Sequence, residues 1–113
     1  TWLSTLNEDK FKIDYKSIGN SNFALPLVLK QPSKTQLRNV CSLLEQKGIE
    51  YRLGTAGGGN LSRQPFLKGK NYRVVDDQKY VNHIHSFGLY VGNGVHVGED
   101  SIIDLASDLN NIE

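Results

Sequence analysis

SKTQLRNVCSLLEQKGIEYRLG, residues 33–54, carries a helix, its stop signal and a strand in one run. Ser33 and Gln36 stand at capping-box spacing, and Leu37, Val40, Cys41 and Leu44 follow at i, i+3, i+4 and i+7, one face of an α-helix. Lys47 complements the negative end of the helix dipole and Gly48 supplies a left-handed stop, so the pattern predicts a helix over 34–47. Ile49, Tyr51 and Leu53 then alternate with Glu50 and Arg52, the period of a half-buried strand with the first three inward.

Upstream, FALPLVLK (23–30) reads as a second strand with Phe23, Leu25, Leu27 and Leu29 on one face. Pro26 cannot donate to a ladder, which places this strand at a sheet edge. Residues 1–22 hold one alternating patch, Phe11, Ile13 and Tyr15, expected to be a short exposed strand or an extended connector before the GNSN turn. Downstream of the glycine-rich stretch GTAGGGNLSRQPFLKG (54–69), NYRVV (71–75) reads as a short strand. DDQKYVNHIHSF (76–87) reads as a helix through Tyr80, Val81, Ile84 and Phe87 that ends at Gly88. LYVGN (89–93) is a strand running into a turn. EDSIIDLASDLNNI (99–112) is a helix with acidic residues at its start and Ile102, Ala106 and Leu109 on one face. The order of elements points to an α+β fold: a small antiparallel or mixed sheet with helices packed mainly on one face.

A chain of 113 residues, 38% apolar with a mean hydropathy of -0.41, can bury one core without disulfide or metal staples. Thirteen basic and twelve acidic side chains leave a formal charge of +1, so no bulk field favours nucleic acid or an anionic membrane. The longest apolar run, FALPLVL, is far short of the roughly 18 residues of a membrane span. Cys41 is the single cysteine and lies in the helical apolar stripe, in keeping with a reducing, cytoplasmic setting. No basic segment followed by an apolar core marks a secretory signal. The chain starts at Thr1 and has no Met, and the simplest expectation is a piece of something longer.

The glycine-rich stretch is the one candidate for ligand chemistry. Its spacing matches neither G-x-G-x-x-G nor G-x-x-x-x-G-K-[ST], and Pro65 argues against an immediate long helix. One reading is a flexible hairpin loop. The other is a ligand-contacting wall, because Asn60, Arg63 and Gln64 are planar multidentate groups and arginine grips phosphate or carboxylate in two bonds. His83 and His85 lie two apart, pointing about 200° from each other on a helix, and His96 follows eleven residues after His85 without a carboxylate or Cys partner. A zinc site is not expected. Asp76 and Asp77 read as a solvated turn, and no self-contained catalytic machinery stands out.

Read together, LPLVLK, LLEQKGIEYR, GGNLSRQPFLKG and NHIHSFGLYVGN resemble the C-terminal small domain of the DegT-type family of pyridoxal-phosphate-dependent sugar aminotransferases and dehydratases. The resemblance runs from about Phe23 to the end. Its most specific part is G-N-L-x-R-Q-P, residues 59–65, which looks like the sugar 3-dehydratase branch. The stretch GVHVGED (94–100) is longer than the family's turn into the last helix, and the first 22 residues match less well.

The resemblance implies a fold like the C-terminal domain of fold-type I pyridoxal enzymes and a parent that acts on nucleotide-linked 4-keto-6-deoxy sugars for surface polysaccharide, including lipopolysaccharide. A large N-terminal partner domain would hold pyridoxal phosphate and the residue at its aldehyde, a lysine in the aminotransferases and a histidine in the 3-dehydratases. This chain would close over the site and support a homodimer, with Gly59, Asn60, Arg63, Gln64, His85 and Asn93 on the substrate side, Gly92 beside Asn93, and Arg63 meeting a nucleotide phosphate or a neighbouring carboxylate. It would bind no cofactor and be inactive alone, since the cofactor carries the chemistry and its pocket lies elsewhere. A stand-alone nucleotide-sugar or phosphate-binding module and a purely structural or dimerisation domain are the alternatives.

Overall fold

The computed structural model describes residues 1–54 and 59–113; the expectation of a loop at 55–58 lies outside them. Helix α1 spans Trp2–Thr5, strand β1 Ala24–Val28, helix α2 Lys34–Gln46, strand β2 Tyr51–Leu53, helix α3 Lys79–Phe87, strand β3 Gly88–Gly92 and helix α4 Glu99–Asn110. Two 3-10 turns, Leu61–Arg63 and Pro65–Leu67, lie between β2 and α3. The strands form a three-stranded antiparallel sheet in the order β1-β3-β2. The fold is a small α+β domain.

The cap of α2 forms as its sequence dictates: the Ser33 hydroxyl accepts the Gln36 N–H at 3.1 Å, and Gly48 ends the helix at φ +65°. Val40 and Leu44 of α2 meet Leu25, Leu27 and Leu29, Leu89 and Val91 of the sheet, and Leu105, Ala106 and Leu109 of α4 in one buried cluster. In the register Leu25↔Val91↔Tyr51 and Leu27↔Leu89↔Leu53, these strand residues share one face of the sheet, and all but Leu53 pack in or against the core. Lys47 of α2 pairs with Asp108 of α4.

Pro26 does sit on an edge strand. Its carbonyl accepts the Trp2 indole N–H at 2.7 Å, and since a strand residue's N and C=O point the same way, its ring nitrogen faces away from β3 and no ladder bond is lost. The same outer edge is closed further along by Lys12 N–H donating to the Val28 carbonyl and Lys30 N–H to the Lys10 carbonyl, both at 2.8 Å. Residues 10–12 therefore blunt an edge that would otherwise template pairing with another chain.

Residues 1–22 are not simply an exposed strand or connector. Trp2, Leu6 and Phe11 belong to the core, Phe11 being only 1% exposed, and Phe11 makes a single antiparallel bridge with Leu29. Asn110 ties this segment to α4, accepting the Asn7 N–H at 2.7 Å and donating to the Thr5 carbonyl at 2.8 Å. A helix of four residues is too short for its periodicity to register. Three further expectations change. NYRVV is not a strand: among the described residues it has no pairing partner, and Tyr72, Val74 and Val75 are exposed. Phe23 is 84% exposed, because β1 begins after it, beyond the helices' cover. Leu53 is also exposed, at the far end of a three-residue edge strand of which only Tyr51 packs against the core.

Candidate functional site

Gly54 and the turn that begins at Gly59 are built against the end of α3. Gly54 packs so closely there that a Cβ would lie 2.4 Å from the Ile84 carbonyl oxygen. Gly59 adopts φ +51°, and a Cβ on it would stand 2.0 Å from the Gly54 carbonyl oxygen and 2.7 Å from His85 Nδ1. Only glycine serves at such a point, for both the dihedral and the space.

Asn60 follows and is 2% exposed. Its Oδ1 accepts the Ser62 N–H at 3.0 Å and the Ser62 hydroxyl at 2.7 Å; its Nδ2 donates to Asn82 Oδ1 at 2.8 Å and Gln78 Oε1 at 3.2 Å. That is the full capacity of an amide side chain, two donors and two acceptor lone pairs. Its backbone N–H donates to His85 Nδ1 at 3.0 Å, and its carbonyl accepts the Arg63 N–H at 3.1 Å. Asn60 is thus the organiser of the loop, with no polar group left for a ligand.

Gln78, Asn82 and His85 stand at i, i+4 and i+7, one polar stripe of α3. Gln78 takes the left-handed conformation at φ 56° as the helix cap, while Asp76 Oδ1 and Asp77 Oδ1 accept the Gln78 and Lys79 N–H groups at 2.6 and 3.0 Å. The apolar residues expected to seat this helix, Tyr80 and Ile84, are exposed instead. Amides on α3 carry the contacts to the loop, which a reading tuned to apolar periodicity passes over. His83, on the other side, points its Nε2 at the Leu29 carbonyl, 2.6 Å away, and its ring lies tilted against Phe87.

Because His85 Nδ1 accepts a hydrogen bond it is unprotonated, and the neutral ring carries its proton on Nε2. Burial, then the charge of Arg63, holds the His85 pKa below the ordinary histidine value. Arg63 is exposed and Gln64 half-buried, and among the described residues neither side chain has a hydrogen-bond partner within the chain. Gly59, Asn60 and His85 are in contact, Arg63 follows in the same turn with its charge bearing on His85, and Gln64 caps that turn. Asn93 does not join them: it lies beyond the far end of β3, roughly 16 Å of strand from Gly88. There its side chain donates to the Asn22 carbonyl at 2.9 Å and lines a separate cleft of about 570 Å³ with Trp2, Tyr15, Lys16 and Asn20. His96 is exposed beside Gly94 and belongs to neither place.

Neither of two clefts lined by described residues suits pyridoxal phosphate, which needs a group at its aldehyde and a partner for its pyridine nitrogen inside one pocket. The 570 Å³ cleft offers Lys16 and no carboxylate. The groove that combines Lys12 and Lys30 with Asp14 measures about 260 Å³, below the ~300–1,000 Å³ of typical ligand pockets, and its Lys30 amine donates to the Glu8 carbonyl. Among the described residues no group of three His, Cys, Asp or Glu side chains could share a metal ion, and no helix is long and apolar enough to cross a membrane. Comparison of the chain with protein-family models, with curated proteins and with solved structures finds no match.

Proposed function

We propose that this chain is the C-terminal domain of a pyridoxal-phosphate-dependent enzyme acting on a nucleotide-linked 4-keto-6-deoxy sugar, a 3-dehydratase rather than an aminotransferase, and that residues 59–64 are its substrate-side wall. One observation carries the reading. The most specific stretch of the resemblance, 59–65, is in direct contact with another of its stretches, 82–93, through Asn60 bonded to Asn82 and His85. A linker would have no need of a buried amide satisfied at every atom.

In this role Asn60 orients the turn, Arg63 extends toward the nucleotide phosphates and Gln64 toward the sugar. Leu61 and Phe66, both exposed here, are apolar surface for a covering domain. The cofactor belongs to the neighbouring domain, which supplies the acid and base; this chain contributes binding and exclusion of water.

The test is a nuclear magnetic resonance titration with a nucleotide-diphosphate 6-deoxy sugar. Amide shifts concentrated on 59–67 and His85 are the expected result. Shifts confined to the Asn93 cleft, or none at all, refute the reading. Added pyridoxal phosphate is expected to give no stoichiometric visible absorbance band with the chain alone, and such a band would place the cofactor here after all.

A further inference from the structure

We infer that the Arg63 guanidinium and the Nε2–H of His85 form a two-pronged site for a phosphoryl-type dianion, latched in its binding form by the Asn60 N–H. This inference rests on the reading above and assigns the ligand class and the regulation of that wall. The hydrogen bond from Asn60 to Nδ1 leaves Nε2 as the ring's only donor, and among the described residues Nε2 has no partner within the chain. Arg63 lies in the 3-10 turn that Asn60 itself caps, so the residue that sets the histidine tautomer also sets the base of the arginine.

The surrounding sequence favours an anion. From Gly54 to Val75 there is no Asp or Glu, while Arg63, Lys68, Lys70 and Arg73 all fall within it and all are exposed. The next two carboxylates, Asp76 and Asp77, are held on backbone N–H groups. A planar guanidinium fork and one imidazole N–H match the oxygens of a tetrahedral dianion, whether the diphosphate of a nucleotide or free phosphate.

The latch gives the site an unusual pH response. Among the described residues, the elements around His85 are the 59–63 turn, which brings Arg63; the end of β2, which brings the neutral Gly54; and its own helix, where Gln78 and Asn82 are neutral amides and His83 is turned to the Leu29 carbonyl. Protonating Nδ1 would set two donors, N–H against N–H, face to face and release the turn. Acidification therefore weakens anion binding, although it adds positive charge. A histidine acting merely as a cation would do the opposite.

Sulfate, a dianion across the whole range, is the probe, titrated at about pH 7.5 and about pH 5 with histidine nitrogen spectra recorded alongside. The expected results are the Nε2–H tautomer for His85, shifts at 59–64 and His85, weaker binding at the lower pH, and a loss of roughly tenfold or more in Arg63→Ala. His85→Asn, whose side-chain oxygen can still accept the Asn60 N–H, should bind more weakly at pH 7.5 and lose the pH dependence. Tighter binding at low pH, an Nδ1–H tautomer, or unchanged affinity in Arg63→Ala overturns the site; Arg63 is exposed, so that variant should fold. Sulfate binding as described, with nucleotide-diphosphate sugars no tighter than pyrophosphate, upholds the dianion site and defeats the sugar-enzyme reading instead.

Discussion

Asn60 makes four side-chain hydrogen bonds from a buried position, so a shape-matched apolar substitute leaves partners in its own turn and on α3 unsatisfied. Asn60→Leu should lower unfolding stability by about 1–3 kcal/mol, read from the midpoint of a urea titration at constant slope. Gly59→Ala should cost more than the ~1 kcal/mol of an ordinary left-handed alanine, since its Cβ would meet backbone at Gly54 as well. His85 sets the pH dependence. Its folded pKa is lowered, so the unfolded chain binds the extra proton first and stability is lost as pH falls below about 6.5 toward the folded pKa. His85→Asn should flatten that arm of the stability profile; an unchanged arm would mean another group titrates. Arg63 and Gln64 could be singled out from their chemistry alone, whereas Gln78 and Asn82 could not, because the bonds that recruit them exist only once α3 is folded against the turn.

Helix α2 was legible because cap, stripe and stop agree over one local segment, and the structure matches it to within a residue at its end. Ser33→Ala should cost about 0.5–2 kcal/mol through the lost cap bond to Gln36, measurable in the same urea experiment. Strands are less legible, since pairing is not a local property. NYRVV has strand composition and no partner, and Leu53 has the inward period but sits where no helix reaches. For α3 the C-terminal end at Gly88 was readable, whereas the helix starts at Lys79 and not at Asp76; of its expected apolar face Phe87 packs on the core and Tyr80 and Ile84 do not, because amides and an imidazole make the contacts to the turn.

For the whole molecule the decisive feature is how the N-terminal segment closes the sheet. Trp2, Leu6 and Phe11 fill the core between β1 and α4, and residues 10–12 cover the β1 edge. Removing residues 1–12 should abolish cooperative unfolding and promote aggregation, both from the lost burial and from the bared edge. A truncated chain that melts as sharply as the full one would show that the segment is dispensable. This architecture leaves residues 59–67, with exposed Leu61, Arg63 and Phe66, on the surface between β2 and α3. The most direct measurement is calorimetric titration of a nucleotide-diphosphate 6-deoxy sugar into the wild-type chain, Arg63→Ala and Arg63→Lys. The expected result is binding that Arg63→Ala weakens by roughly tenfold or more and Arg63→Lys restores only in part, as a fork replaced by a point charge should. Equal affinity in all three proteins would contradict the assignment of this loop as the ligand-facing wall.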